Sequence, residues 1–197
     1  MTKKILITGA NGQLGHEMRN ALKGNNRFEC IFTDVAELDI CNTEAVKQTM
    51  ANNHIDYIVN CAAYTQVDKA EDNAELCKKI NTDAVENLAR AAADYGARMI
   101  HISTDYVFNG RGYRPYTEDM VPDPQSVYGS TKLEGEKILT DICPESIIIR
   151  TAWLYSPYGN NFVKTMLHLG EEREELSVVA DQIGTCLLYT SPSPRDA

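Results

Sequence analysis

The sequence predicts an α/β protein built on a doubly wound parallel sheet of the Rossmann type. Three observations point there. Short β-rich runs alternate with helical patterns along the chain. Several of those runs are apolar throughout, as strands covered on both faces are, and a glycine-containing turn, GANGQLG from Gly9 to Gly15, stands where the first run gives way to the first helix. With 197 residues, 43% hydrophobic and 24% charged, the chain can bury one sizeable core.

In chain order, KKILIT (Lys3 to Thr8) reads as the first strand and Gln13 to Leu22 as the first helix. FECIFTD, ending at Asp34, gives a second strand, Thr43 to Asn52 a helix, and DYIVNCA a third strand. A long helix is expected from about Ala74 to Tyr95, with Leu76, Ile80, Ala84, Leu88 and Ala91 on one face and Gly96 as its C-cap. RMIHIST is the fourth strand. A polar loop rich in glycine and proline follows from Asn109 to Gln125, too long to be filler. A helix from about Ser126 to Ile142, a strand at SIIIRTA, a helix near Asn161 to Leu169 and a strand at LSVVA complete the pattern.

The net charge of -9 weighs against nucleic acid and anionic membranes as partners, because phosphate contacts need clustered Lys and Arg. No run approaches the 18 or so apolar residues of a membrane helix, and MTKKILITGA has no cleavage-like region. Six cysteines without a CxxC and four histidines without an HExxH signal neither a disulfide framework nor a metal site. A soluble protein of the reducing cytoplasm is expected.

The glycine turn has the spacing GxxGxxG. Between a strand and a helix, such glycines permit a tight turn and close backbone approach, and the helix N-terminus offers unpaired N–H groups to a pyrophosphate. The same pattern serves a purely local strand-to-helix turn, but the flanking elements favour a dinucleotide. Asp34, at the end of the second strand, is placed to hold adenosine ribose hydroxyls and to disfavour a 2′-phosphate; its competing role is to cap a turn. Asp39 and Ile40 are alternative neighbours of the adenine, so NADH and NADPH both remain open.

In VYGSTKLEGEK, Tyr128 and Lys132 are four residues apart on one helical face, so both reach one point in space. An ammonium beside a phenol favours phenolate and lowers a pKa that is ordinarily about 10, and the lysine's three donors suit ribose hydroxyls. An isolated YxxxK pair is usually surface decoration. Here it follows a strand ending in Ser103 and Thr104, and strand C-termini surround the ligand crevice of a parallel sheet. Thr104 can donate to a substrate carbonyl oxygen.

With those residues in place, the chain resembles the extended type of the short-chain dehydrogenase/reductase family, within it the branch that completes dTDP-L-rhamnose synthesis by reducing the C4 carbonyl of a dTDP-linked 4-ketosugar. The matching stretches are ILITGANGQLG, NCAAYTQVDKAE, INTDAVENLA, HISTDYVFNG, PYTEDMVPDPQSVYGSTKLEGE, RTAWLYSPYGNNFV and VVADQIGT. The resemblance implies Tyr128 as proton donor, Lys132 as its tuner and ribose ligand, and Thr104 as partner of the carbonyl oxygen. It also implies an NADPH or NADH site with Gly9, Asn11, Gly12, Gln13, Leu14 and Gly15 on the pyrophosphate, Asp39 and Ile40 at the adenosine end, and Ala62, Ala63 and Tyr64 in the middle. Thr65, Val67, Asp105, Tyr106 and Trp153 would line the nucleotide-sugar site. Ala62, Ala63 and Val67 are equally consistent with packing, Trp153 with a core anchor, and Asn81 either with support of the lysine through water or with an exposed helix position. A homodimer and a magnesium ion are compatible with the family.

Two alternatives stay open: another nucleotide-sugar epimerase or dehydratase of the extended type, and a non-catalytic regulatory subunit of the kind found with methionine adenosyltransferase. A dehydratase is expected to carry Asp-Glu after the threonine, where this chain has Asp105-Tyr106. The resemblance divides the chain into a dinucleotide-binding part, 1–150, and the start of a substrate-binding part, 151–185. From Cys186 to Ala197 the sequence CLLYTSPSPRDA lacks periodicity and resembles translated sequencing adapter, so 186–197 is expected to be a non-native, loosely attached tail.

Overall fold

In the computed structural model, residues 2–178 and the backbone of Leu187–Leu188 are described. Five strands form one parallel sheet: β1 (Lys3–Thr8), β2 (Phe28–Thr33), β3 (Tyr57–Asn60), β4 (Arg98–Thr104) and β5 (Ile147–Thr151), in the order β2-β1-β3-β4-β5. Ile7 pairs with Phe32 on one side and Val59 on the other, so β1 is central and its C-terminal end is hemmed in by two neighbours. The order reverses between β1 and β3, which opens a crevice at the strand C-termini.

Alternation along β1 assigns the two faces. Leu6 joins Ile58 and Met99 against Val46 and Met50 of α2 (Thr43–Asn53), Val85, Leu88 and Ala92 of α5 (Ala84–Tyr95), and Leu139 of α6 (Val127–Ile142). Ile5 and Ile7 point the other way and meet Val59, with Met18 and Leu22 of α1 (Gln13–Leu22) packed over them. Burying such side chains is worth ~1.5–3 kcal/mol each, which is why both faces must be covered. Edge strand β5 differs: Ile148 packs into the larger core, whereas Ile147 and Ile149 are exposed.

The expected long helix is not one helix. It is preceded by a separate short helix, α3 (Val67–Asp72), and then runs as α4 (Ala74–Lys78), a π-helical turn at Lys79–Asp83, and α5. The extra residue of the π turn shifts the buried face by one position. Ahead of it Cys77 is buried and Leu76 is 48% exposed; within it Asn81, and beyond it Val85, Leu88 and Ala92, face inward. A single 3.6-residue period therefore misplaces Leu76, as an inserted residue must. Gly96 caps α5 in the left-handed conformation, φ +69°, as its position suggested.

Beyond β5 come β6 (Leu154–Tyr155), α7 (Phe162–Glu172) and β7 (Leu187–Leu188), with β6 and β7 paired in parallel. The strand expected at LSVVA is not formed at Leu176–Val178, and its last two residues lie outside the described residues. Leu187–Leu188 pair instead, inside the run that lacked periodicity, because a two-residue strand leaves no pattern to detect. The remainder of 186–197 lies outside the described residues. No helix among the described residues is long and apolar enough to cross a membrane.

Candidate active site

The crevice runs from the glycine turn along the C-terminal ends of the strands to α6. Gly9 adopts φ +65°, and a Cβ there would come within 2.7 Å of the Ala62 backbone, so only glycine lets the turn close against the end of β3. A Cβ on Gly15 would lie 2.5 Å from Ala10 Cα and from the Gly9 carbonyl oxygen; Gly15 supports the turn from beneath and does not line the crevice. Gly12 does line it and is the N-cap of α1. The first helical bond runs from His16 N–H to the Gly12 carbonyl, which leaves the Gln13, Leu14 and Gly15 amides ahead of it at the positive end of the helix. These donors and the open backbone at Gly12 fit the pyrophosphate of a dinucleotide.

Asp34 sits at the end of β2 but is engaged by the backbone. One carboxylate oxygen accepts from Asn11 N–H at 2.9 Å and the other from Val35 N–H at 2.8 Å. It therefore ties the glycine turn to the second strand, the turn-capping role weighed in the sequence, while still lining the crevice. Val35, Leu38, Asp39 and Ile40 continue that wall. Val35, not singled out in the sequence, is 72% exposed beside Asp34, an apolar surface open to a flat ligand. Asp39 accepts from Cys41 N–H, and the Ile40 carbonyl is held by the Asn87 amide.

Ala62, Ala63, Thr65 and Val67 line the middle of the crevice, whereas Tyr64 does not. Tyr64 is fixed from behind: its N–H donates to Asn81 Oδ1 at 2.9 Å and its carbonyl accepts from Asn81 Nδ2 at 3.2 Å. Asn81 lies in the π turn and is fully buried, so it is not an exposed helix position. Its side chain braces the loop after β3 and is aimed there by the inserted residue.

At the far end, α6 begins at Val127 because Ser126 Oγ accepts from Gly129 N–H and Glu71 of α3 accepts from Val127 N–H. Tyr128 thus stands in the first turn, against Tyr106 edge to face at 5.5 Å between ring centres. Thr104 ends β4; its hydroxyl donates to Asp105 at 3.2 Å and accepts from Tyr106 N–H. Burial pushes the Asp105 carboxyl upward, opposed by that Thr104 bond. Trp153 is half-buried, lines the crevice with a left-handed φ of +52° and packs edge to face on Phe162, so it is not a core anchor.

The Tyr128–Lys132 relation departs from expectation. Burial raises the phenol above its ordinary pKa of 10, and the Thr104 hydroxyl pulls the other way. Lys132, only 1% exposed, is itself brought down to about 8 by burial, with Glu136 and Cys77 opposing that fall. Its amine turns into the protein, 2.7 Å from the Ile102 carbonyl and 3.1 Å from His101 Nε2. Spacing gave the shared helical face but not the burial, which weakens a lysine's charge as effectively as it weakens a phenolate's. His101 was absent from the sequence reading as a candidate, although a histidine three residues ahead of the threonine on an apolar strand was a visible signal. Among the described residues no group of three His, Cys, Asp or Glu is placed to hold a metal ion.

The sheet order and the glycine turn define a doubly wound dinucleotide-binding fold, with Thr104, Tyr128 and Lys132 along its crevice. A family model described as the RmlD substrate binding domain matches residues 3–187, and the chain belongs to that family. It is 45% identical over 181 residues to a dTDP-4-dehydrorhamnose reductase of Aggregatibacter actinomycetemcomitans, covering 92% of this chain and 62% of that one. Among solved structures, the dTDP-4-dehydrorhamnose reductase of Clostridium acetobutylicum superposes with TM-score 0.91 at 52% identity, over 94% of this chain and 66% of that one. The Bacillus anthracis dTDP-4-dehydrorhamnose reductase, solved in complex with NADP, gives TM-score 0.92 at 43% identity, over 96% and 67%. The chain spans about three fifths of the length of the curated relatives it matches.

Proposed function

We propose that this chain is the cofactor-binding part of an oxidoreductase that reduces the C4 carbonyl of dTDP-4-dehydro-L-rhamnose to dTDP-L-rhamnose with NADPH or NADH. What carries the reading is that Thr104, Tyr128 and Lys132, distant in sequence, line one stretch of a crevice that begins at a dinucleotide-type glycine turn. The names of the relatives supply the substrate. The nicotinamide, when bound, supplies the hydride.

Tyr128 donates the proton. A phenol held above its usual pKa keeps that proton at neutral pH, which suits a donor in the reducing direction. Thr104 gives a hydrogen bond to the carbonyl oxygen once its hydroxyl turns from Asp105, so two donors stabilise the developing alkoxide. Lys132, which lines the crevice, holds the nicotinamide ribose and adds positive charge toward the phenol once its protonated amine turns from Ile102 and His101. Gly9, Asn11, Gly12, Gln13 and Leu14 form the pyrophosphate cradle with Gly15 beneath it, Asp34, Asp39 and Ile40 with Val35 the adenosine end, and Ala62 and Ala63 the middle, with Tyr64 braced behind them. Thr65, Val67, Asp105, Tyr106 and Trp153 take the sugar nucleotide. Asp34 favours NADH, whereas the Bacillus relative's complex with NADP favours NADPH. No step is assigned to a metal ion, because the described residues offer no ligand set for one.

The test is turnover of dTDP-4-dehydro-L-rhamnose by a full-length version, followed as nicotinamide oxidation and as appearance of dTDP-L-rhamnose. Reduction with either cofactor supports the reading. Cofactor binding without turnover would favour the regulatory-subunit alternative.

A further inference from the structure

Behind Lys132 a file of buried polar side chains crosses the sheet. Thr8 on β1, Asn60 on β3, His101 on β4 and Lys132 on α6 are all essentially inaccessible. Thr8 Oγ1 lies 2.6 Å from Asn60 Oδ1, Asn60 Nδ2 lies 3.1 Å from His101 Nδ1, and His101 Nε2 lies 3.1 Å from Lys132 Nζ. The file thus joins the strand that leads into the glycine turn to the lysine at the far end of the crevice.

The direction of donation along it is fixed at one point. Ala62 N–H, which can only donate, lies 3.1 Å from Asn60 Oδ1. That oxygen therefore faces Ala62 and Thr8, and the Asn60 amide nitrogen faces His101 and donates to Nδ1. A neutral imidazole that accepts at Nδ1 carries its proton on Nε2, and that N–H points at the lysine nitrogen. Only an uncharged amine has the lone pair to accept it; the amine then donates to the Ile102 carbonyl, and every member of the file has a partner. An ammonium would need a bare Nε2. The imidazole would then carry its proton on Nδ1, Asn60 would turn its oxygen toward it, and the Ala62 N–H would lose its acceptor.

We propose that His101 is a positioning residue for Lys132: the imidazole carries its proton on Nε2 while the lysine is an amine and on Nδ1 while it is an ammonium, so one proton reverses the file back to Ala62. The exchange balances. One proton is taken from solvent, the lysine ends with one more, and the imidazole gives up the Nε2 proton, gains one at Nδ1 and stays neutral. Because Ala62 lines the crevice, the charge of Lys132 is linked to the backbone on which the middle of a ligand rests.

The charged and titratable surroundings allow this. Lys132 faces Glu136 on its own helix, Cys77 on α4 and His101 on β4. The Glu136 carboxylate is held by Arg150 of β5 at 2.6 and 3.0 Å, so it does not claim the lysine. His101 is kept neutral by burial and by Lys132, its one charged neighbour of influence. The tautomer exchange does not depend on the proposed activity; only its bearing on Tyr128 rests on that reading.

The test is nitrogen NMR of the 197-residue chain with labelled histidine and lysine, from pH 6 to 10, the His101 ring being assigned from its own backbone resonances. The Nε2–H tautomer is expected at high pH and the Nδ1–H tautomer at low pH, exchanging at the same midpoint as the Lys132 nitrogen, with no imidazolium in between. Asn60→Asp puts an acceptor opposite Nδ1; it is expected to hold the Nδ1–H tautomer throughout and raise the Lys132 midpoint by about a unit or more. A single tautomer across the whole range in the parent chain, or an imidazolium titrating while Lys132 does not, would overturn the proposal. Because neither measurement uses substrate, failure here and failure of the reductase reading are distinguishable.

Discussion

The two ends of the crevice are built from different materials. At the glycine turn the shape is made by backbone: Gly9 and Gly15 leave no room for a Cβ, and Asp34 serves the turn by binding two amides. At the β4–α6 end the surface is made by side chains whose charge depends on burial, with Lys132, His101 and Asn60 locked in one file. A substitution at the first end alters geometry and the fold with it. A substitution at the second alters protonation and leaves the outline in place.

The largest effect is expected at the side-chain end. Tyr128→Phe in a full-length version keeps the ring against Tyr106 but removes the proton, and kcat is expected to fall about 10²–10⁴-fold with cofactor affinity unchanged. Steady-state kinetics with cofactor titration separate the two. Parental turnover by the phenylalanine variant would remove Tyr128 from the mechanism.

Lys132→Met is expected to lower kcat and raise the cofactor KM together, since both the charge and the ribose donors go. It also carries a pH signature. The folded pKa of Lys132, about 8, lies below its ordinary 10.5, so between those values the unfolded chain binds a proton that the folded chain does not, and stability rises with pH. Denaturant unfolding at pH 7.5 and pH 10 is expected to show the parent gaining on the order of 2 kcal/mol relative to Lys132→Met. No relative gain would mean that Lys132 titrates normally.

Gly15→Ala probes the backbone end. Its Cβ would meet the backbone of Gly9 and Ala10, which cannot rotate away as a side chain can, and a loss of about 1–3 kcal/mol is expected. Thermal unfolding should record this as a fall in Tm of about 2–12 °C for a chain of this size. The smallest effect falls to Asp34→Ser, which removes a charge while keeping one oxygen for the turn. Preference for NADPH over NADH is expected to rise by up to about tenfold, the equivalent of ~1.4 kcal/mol. Equal changes for both cofactors would show that Asp34 acts on the turn alone.

The same contrast governs how much could be read from the chain. Lys3–Thr8, Gln13–Leu22 and Arg98–Thr104 follow their sequence patterns residue for residue, because a buried parallel strand or an amphipathic helix is a local arrangement of side chains. The π turn was not legible: it goes with the contact of Asn81 to the Tyr64 backbone, which joins distant parts of the chain. The glycine turn could be found from spacing because backbone sterics are local. The state of Lys132 could not, because it follows from a depth of burial that spacing does not record and from the contact with His101 on another element.

The separation of the two ends is tested most directly by calorimetric titration of the 197-residue chain with NADPH and with NADH. Saturable binding of at least one cofactor is expected, unchanged within about twofold in Tyr128→Phe and abolished or much weakened in Gly15→Ala. Equal loss in both variants, or binding that Gly15→Ala leaves intact, would contradict the division of the crevice into a backbone-built cofactor end and a side-chain-built chemical end.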